Sequence, residues 1–310
     1  MKKIGIALGG GGARGLAHIG VLKILENSKV PVYAISGISM GAIIGAAYAI
    51  EPNIEKLEKR VREILSGSVF SKLRIEMLQS ETGKNEKSTF LEKAKSFIIN
   101  GYIHIVEETK PAFFMLDKLE ELVYGLLPDI DISDTKLPFA CVATDLTNGK
   151  EKVFTKGSIR KCVIASSCIA GVFPPLLMDG FYYNDGGYVG SIPVKVLKDL
   201  GADYIIASDV KSRSMRWEKV SKAKDVISRS NYITGALLSE YMLKEADLVI
   251  SPAVKHINWT GFNKIDFLIK KGEKAMFFKI VELKTVTGYK NLIDKIINFF
   301  KYFSSSRPNK

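Results

Sequence analysis

Ser39 stands in Gly37-Ile38-Ser39-Met40-Gly41, a spacing at which a strand turns sharply into a helix and presents a serine hydroxyl at the turn. Small flanking residues let strand and helix come close, and the helix start favours a developing negative charge. The chemistry this pattern points to is nucleophilic attack by a hydroxyl, although five such residues also make tight turns that do no chemistry. A second constellation, Gly9-Gly10-Gly11-Gly12-Ala13-Arg14-Gly15, again falls between a predicted strand and a predicted helix. Backbone N–H groups of Gly10, Gly11 and Gly12 in such a loop could hold the oxyanion of a tetrahedral intermediate. Gly10, Gly12 and Gly15 also fit the dinucleotide fingerprint. That use requires an acidic residue at the end of the next strand, where Ser36 and Gly37 stand instead. A phosphate-binding P-loop fails because no Lys-Ser/Thr pair follows the glycines.

A hydroxyl nucleophile needs a base. His18 falls inside the first predicted helix, where helix or core contacts are the plainer role. His104 lies in a polar insertion and His256 follows a strand ending at Ser251-Pro252. With no histidine well placed, a carboxylate must take the proton, its basicity raised by its surroundings. Asp185, in Asn184-Asp185-Gly186-Gly187, is the best candidate because it ends a predicted strand and is followed by glycines. Asp145 and Asp209 also end predicted strands and read as turn or capping carboxylates.

The elements that must position these groups alternate. Lys3 to Leu8 reads as a strand, Arg14 to Asn27 as a helix, Val32 to Ser36 as a strand and Met40 to Ala49 as a helix. Further strands are predicted over Leu137–Ala143, Phe181–Asn184, Tyr204–Ser208 and Leu248–Ser251, with helices over Ile159–Cys168 and Lys219–Glu245. This order implies an α/β fold with a mainly parallel sheet covered on both faces. In a parallel sheet the carboxyl ends of neighbouring strands lie side by side, so the glycine loop and Ser39 can meet. Residues 51–131 read as a helical insertion able to cap a site. Residues 1–289 form one predicted unit, followed by a basic amphipathic helix and tail at 290–310. In that tail, at ~100° per residue, Leu292, Ile293, Ile296, Ile297, Phe299, Phe300 and Phe303 fill an arc of roughly 160°. It suits either packing on the domain or contact with an anionic membrane surface.

The 310 residues are 46% apolar and 25% charged, with a net charge of +12, which excludes a disordered or fibrous chain. Three cysteines without CxxC spacing and three histidines fit a reducing, cytoplasmic setting and do not make a histidine-rich metal site. Positive charge raises nucleic acid as a partner, but no zinc finger, RNA-binding aromatic pattern or helix-turn-helix signature is present. The uncharged run Val30–Ile50 is long enough to span a bilayer. Pro31 and Ser36-Gly37-Ile38-Ser39 divide it, and it reads better as a buried strand followed by a helix.

Together, Gly10-Gly11-Gly12-Ala13-Arg14-Gly15, Gly37-Ile38-Ser39-Met40-Gly41 and Asp185-Gly186-Gly187 resemble the motifs of the patatin-like phospholipases. Ala143-Thr144-Asp145-Leu146, the run Ala165–Pro175 and Gly201-Ala202-Asp203 add to the resemblance, which extends over roughly Ile4 to Ser251. Ala170 stands where many members have proline. The resemblance implies a three-layer α/β/α fold and a serine acyl hydrolase acting on lipid or acyl esters through a Ser39–Asp185 dyad. Gly10, Gly11 and Gly12 would form the oxyanion hole, with Arg14, Gly15, Gly37, Gly41, Gly186 and Gly187 shaping the motifs. It implies no metal and no cofactor, and it leaves the oligomeric state open. A regulatory or binding adaptor on the same fold is the alternative.

Overall fold

The computed structural model describes residues 2–67, 112, 115–211 and 223–288. The predicted tail at 290–310, most of the predicted insertion and His104 lie outside the described residues.

The apolar runs become strands buried on both faces. In β1 (Ile4–Leu8), Ile4, Ile6 and Leu8 enter one core while Ala7 enters another. In β7 (Tyr204–Ser208), Tyr204 and Ile206 alternate in the same way with Ile205 and Ala207. A period of two with both faces apolar is the mark of a central parallel strand. Between these two strands in the chain come α1 (Ala17–Asn27), β2 (Val32–Gly37), α2 (Met40–Ile50) and α3 (Ile54–Ser66). They are followed by α4 (Leu116–Leu126), β3 (Phe139–Asp145), β4 (Lys150–Phe154), α5 (Ile159–Ala165), β5 (Leu176–Met178), β6 (Phe181–Asp185) and α6 (Val194–Asp199). After β7 come α7 (Ala223–Leu243), β8 (Leu248–Ile250) and α8 (Ile265–Thr287).

The sheet order is β5-β6-β3-β2-β1-β7-β8, with β4 paired to β3. Strands β3, β2, β1, β7 and β8 are parallel, whereas β4 and β6 run antiparallel to β3, and β5 antiparallel to β6. Helix α1 packs against α8 on one face, and α6 packs on β1, β2 and β7 from the other. The fold is therefore a three-layer α/β/α arrangement around a mainly parallel sheet, as expected. Val30–Ile50 resolves into β2 and α2, and among the described residues no helix is long and apolar enough to cross a membrane.

Two features place the site. From β1 the chain order diverges, to β2 on one side and β7 on the other, and such a switch point leaves a crevice at the carboxyl ends of the strands. The antiparallel β6 then arrives from the opposite direction. Gly37 of β2 faces Cys141 of β3, and Asp185 of β6 faces Ala143, two residues further on. The end of β6 is thereby directed at the end of β2.

Candidate active site

Ser39 joins β2 to α2 with φ 55° and ψ −126°. A β-carbon in the left-handed half of the map costs about 1–3 kcal/mol, so packing must impose the conformation. Gly41 shows how it does so: a Cβ there would run into the carbonyl of Leu8, because α2 starts directly against the end of β1. The Ser39 N–H is held by Ser166, donating to its carbonyl and to its hydroxyl oxygen, each at 3.1 Å. The Ser166 hydroxyl donates in turn to the Val142 carbonyl at 2.6 Å. Ser39 is buried apart from the face it turns to the crevice.

Asp185 is held as firmly. Its N–H donates to the Cys168 carbonyl at 2.9 Å and its carbonyl accepts from Thr144 Oγ1 at 2.8 Å. Oδ1 accepts the Gly187 N–H at 2.7 Å, while Oδ2 is buried and has no hydrogen-bond partner among the described residues. Burial raises the Asp185 carboxyl above its ordinary value, against the pull of the nearby Ser39 hydroxyl, the Gly187 N–H and the positive charge of Lys211. Ser39 is thus close enough to act on the carboxyl, although the pair stops short of hydrogen-bond geometry. Such a contact often tightens only when substrate is bound.

The glycine loop after β1 is fastened at both ends. Gly9 donates to Ser208 at 3.0 Å, Gly10 to the Ser191 carbonyl at 3.1 Å, and Ala13 to the Trp259 carbonyl at 2.6 Å. The amide of Gly10, expected to face an oxyanion, is therefore engaged within the fold. The amides of Gly11 and Gly12 show no hydrogen bond among the described residues. Gly12 has φ 56°, and a Cβ there would meet the Trp259 carbonyl, so no other residue fits this turn. Arg14 Nε donates to the Gly11 carbonyl at 3.2 Å and braces the loop from beneath.

The other candidates separate cleanly. His18 is fully buried, with Nδ1 2.8 Å from Ser208 Oγ and Nε2 2.8 Å from the Gly9 carbonyl. Burial lowers its pKa to about 4, so it is a neutral strut behind the loop. His256 is exposed and stacks edge-on to Phe267. Asp145 caps its own turn, accepting from Thr147 and Asn148. Asp209 accepts the Lys211 N–H at 3.2 Å and acts on Arg14 through its charge. Sequence reasoning missed Ser166 as the anchor of the elbow, although it lies in the run Ala165–Pro175. It also missed Lys211, whose Nζ donates to Ser191 Oγ at 2.8 Å beside the crevice, and no local pattern marks that residue.

Ser39, Asp185, Gly11, Gly12 and Lys211 line one cleft of about 620 Å³. The family model described as patatin-like phospholipase matches residues 6–198, a stretch that holds the glycine loop, Ser39 and Asp185. The chain belongs to the patatin-like phospholipase family. Three relatives in this family are similar over 68% of the chain. They are neuropathy target esterase sws of Drosophila melanogaster (32% identical), patatin-like phospholipase domain-containing protein 6 of Homo sapiens (34%) and lysophospholipase nte1 of Aspergillus fumigatus (31%). The chain spans only 12–13% of the length of these relatives.

Proposed function

We propose that this patatin-like protein is a serine acyl hydrolase that cleaves lipid ester bonds, of the phospholipase A, lysophospholipase or esterase type. The observation that carries the reading is the buried Oδ2 of Asp185, without a hydrogen-bond partner among the described residues, next to a serine held at a strained elbow. A carboxylate kept dry beside a hydroxyl is an enhanced proton acceptor. Ser39 Oγ attacks the acyl carbonyl as its proton passes to Asp185. The carbonyl oxygen becomes an oxyanion that accepts from the amides of Gly11 and Gly12, which narrows the predicted trio of donors to two. The leaving alcohol takes the proton from Asp185 as the tetrahedral intermediate collapses to an acyl-serine. Water then attacks the acyl-serine, losing its proton to Asp185, and Asp185 returns that proton to Ser39 Oγ as the fatty acid departs.

Membership of the family and the esterase and lysophospholipase names of its relatives support an ester substrate. An adaptor with no turnover would have no use for a buried carboxylate with one oxygen left open to the nucleophile, since desolvating a charge is costly. The proposal keeps residues 1–289 as the hydrolase unit, with the basic amphipathic tail at 290–310 either packed on it or in contact with an anionic membrane surface. Mass spectrometry of mixed phospholipid vesicles incubated with the protein tests the reading. Free fatty acid and lysolipid are expected with the wild type and neither with Ser39→Ala; unchanged vesicles with both would refute it.

A further inference from the structure

The cleft that holds Ser39 and Asp185 takes one wall from α7, through Asn231, Tyr232, Thr234, Gly235 and Leu238. The neighbouring face of the same helix is apolar and open. Val226, Ile227, Ile233, Leu237 and Tyr241 are all exposed, Leu237 by 61% and Tyr241 by 67%. Residues four apart are neighbours along a helix, so Ile233, Leu237 and Tyr241 form one ridge. Val226, seven residues before Ile233, extends it. Thr234 and Leu238 each follow a ridge residue by one position and line the cleft, so the ridge is a rim of the opening. Tyr188, three residues past Asp185, also lines the cleft and is 54% exposed.

Single exposed apolar residues need no explanation, but a contiguous row at the mouth of a site marks a docking surface. Its size and the chain's charge decide what docks. Five side chains at this exposure offer on the order of 600 Å², short of the ~800 Å² per partner of a standard protein interface. A lipid surface sets no such minimum, because each side chain gains by entering the headgroup region on its own. Glu240 and Lys244, exposed at the end of the ridge, offset each other, while the chain as a whole carries +12 and is drawn to anionic surfaces. Helix α8 also exposes apolar residues, but its Phe267 and Phe278 rings lie under the ammonium groups of Lys271 and Lys274 at 4.9 and 5.8 Å. Among the described residues, none of α8 lines the cleft.

We propose that the exposed ridge of α7 docks on an anionic lipid surface and sets the mouth of the cleft against it. The proposal rests on the ester-hydrolase reading for the identity of that surface, and it adds how the substrate is reached. Helix α7 lies along the surface with Ile233, Leu237 and Tyr241 at headgroup depth. A lipid then enters the cleft past Thr234 and Leu238 without crossing open water.

The test measures co-sedimentation of the full chain with vesicles of equimolar phosphatidylcholine and phosphatidylglycerol. The double variant Ile233→Ser, Leu237→Ser changes two exposed positions outside the cleft lining and leaves the net charge as it is. It should bind at least roughly tenfold more weakly, from the apolar area withdrawn, and turn over soluble nitrophenyl butyrate as the wild type does. The three native cysteines are buried, so an environment-sensitive dye on Leu237→Cys reports that position alone. Its emission should shift to the blue on vesicles, while the same dye on Val281→Cys, at an exposed position of α8, should not respond. Binding by the double variant equal to wild type, or a response at Val281 without one at Leu237, would overturn the proposal. So would a wild-type dimer that the double variant converts to monomer on size exclusion, since the ridge would then be a contact between copies of this chain. A wild type that docks through the ridge and hydrolyses no ester would refute the hydrolase reading while sustaining the docking face. Hydrolysis with equal vesicle binding by both proteins would do the reverse.

Discussion

Replacing His18 by glutamine should remove much of this protein's sensitivity to mild acid. His18 is fully buried behind the glycine loop, between the Gly9 carbonyl and Ser208 Oγ. The Gly9 carbonyl can only accept, so Nε2 carries the proton and Nδ1 accepts from the serine in the neutral ring. Burial lowers the folded-state pKa from 6.5 to about 4. The unfolded chain therefore binds one more proton than the folded one between those values, and stability falls as pH drops through that window. At about 1.4 kcal/mol per pH unit, the gap corresponds to about 3 kcal/mol from this residue, all present above pH ~6.5 and lost by pH ~4. Urea unfolding of wild type and His18→Gln at pH 7.5 and pH 4.5 measures it. The variant should be less stable at the higher pH, through poorer packing and hydrogen bonding, and should lose markedly less than wild type on acidification. Equal losses in the two proteins would refute the assignment of a neutral buried imidazole.

Two further outcomes follow from the geometry around Ser39. Lys211→Met withdraws a positive charge that lowers the Asp185 carboxyl, so the acid limb of the pH–kcat/KM profile should move to higher pH. In the wild type that limb should already lie above the ordinary carboxylate range, because activity requires the ionised base and burial raises its pKa; a limb that stays in place or moves lower counts against the dyad. Gly41→Ala pushes a methyl group into the Leu8 carbonyl and should destabilise the fold by at least about 2 kcal/mol, read by urea unfolding. A neutral effect would mean that α2 does not need its tight start against β1.

The central strands were legible because a strand buried on both faces is a plain apolar run, as at Ile4–Leu8 and Tyr204–Ser208. The elbow was legible because its glycines and serine are adjacent in the chain. Other elements carry no such local mark. Strand β4 begins Lys150-Glu151-Lys152, is largely exposed, and is a strand through its pairing with β3. Helix α8 was not read at all. Its lysines break the apolar stripe, and its place is set by α1, where Gly20 and Gly272 let the two backbones nearly touch. The first predicted helix begins later than its pattern implies, because Gly12–Leu16 is a 3-10 turn that carries the loop into α1 at Ala17. Within the site, the residue types of the dyad could be read from motifs. The engagement of the Gly10 amide by Ser191, the grip of Ser166 on Ser39 and the nearness of Lys211 to Asp185 depend on contacts between distant segments.

Catalysis here turns on proton transfer from Ser39 to Asp185, and the rate at which a fluorophosphonate labels Ser39 measures it most directly. Phosphonylation forms the Oγ–P bond and expels fluoride, and it needs the same base but no acyl chain or water step. Asparagine at position 185 can keep the bond from the Gly187 N–H to Oδ1 while losing the basic oxygen. Asp185→Asn should therefore remain folded and label roughly 10²–10⁴-fold more slowly, the range expected for loss of a general base. Labelling at the wild-type rate in Asp185→Asn, or modification at a residue other than Ser39, would contradict the account.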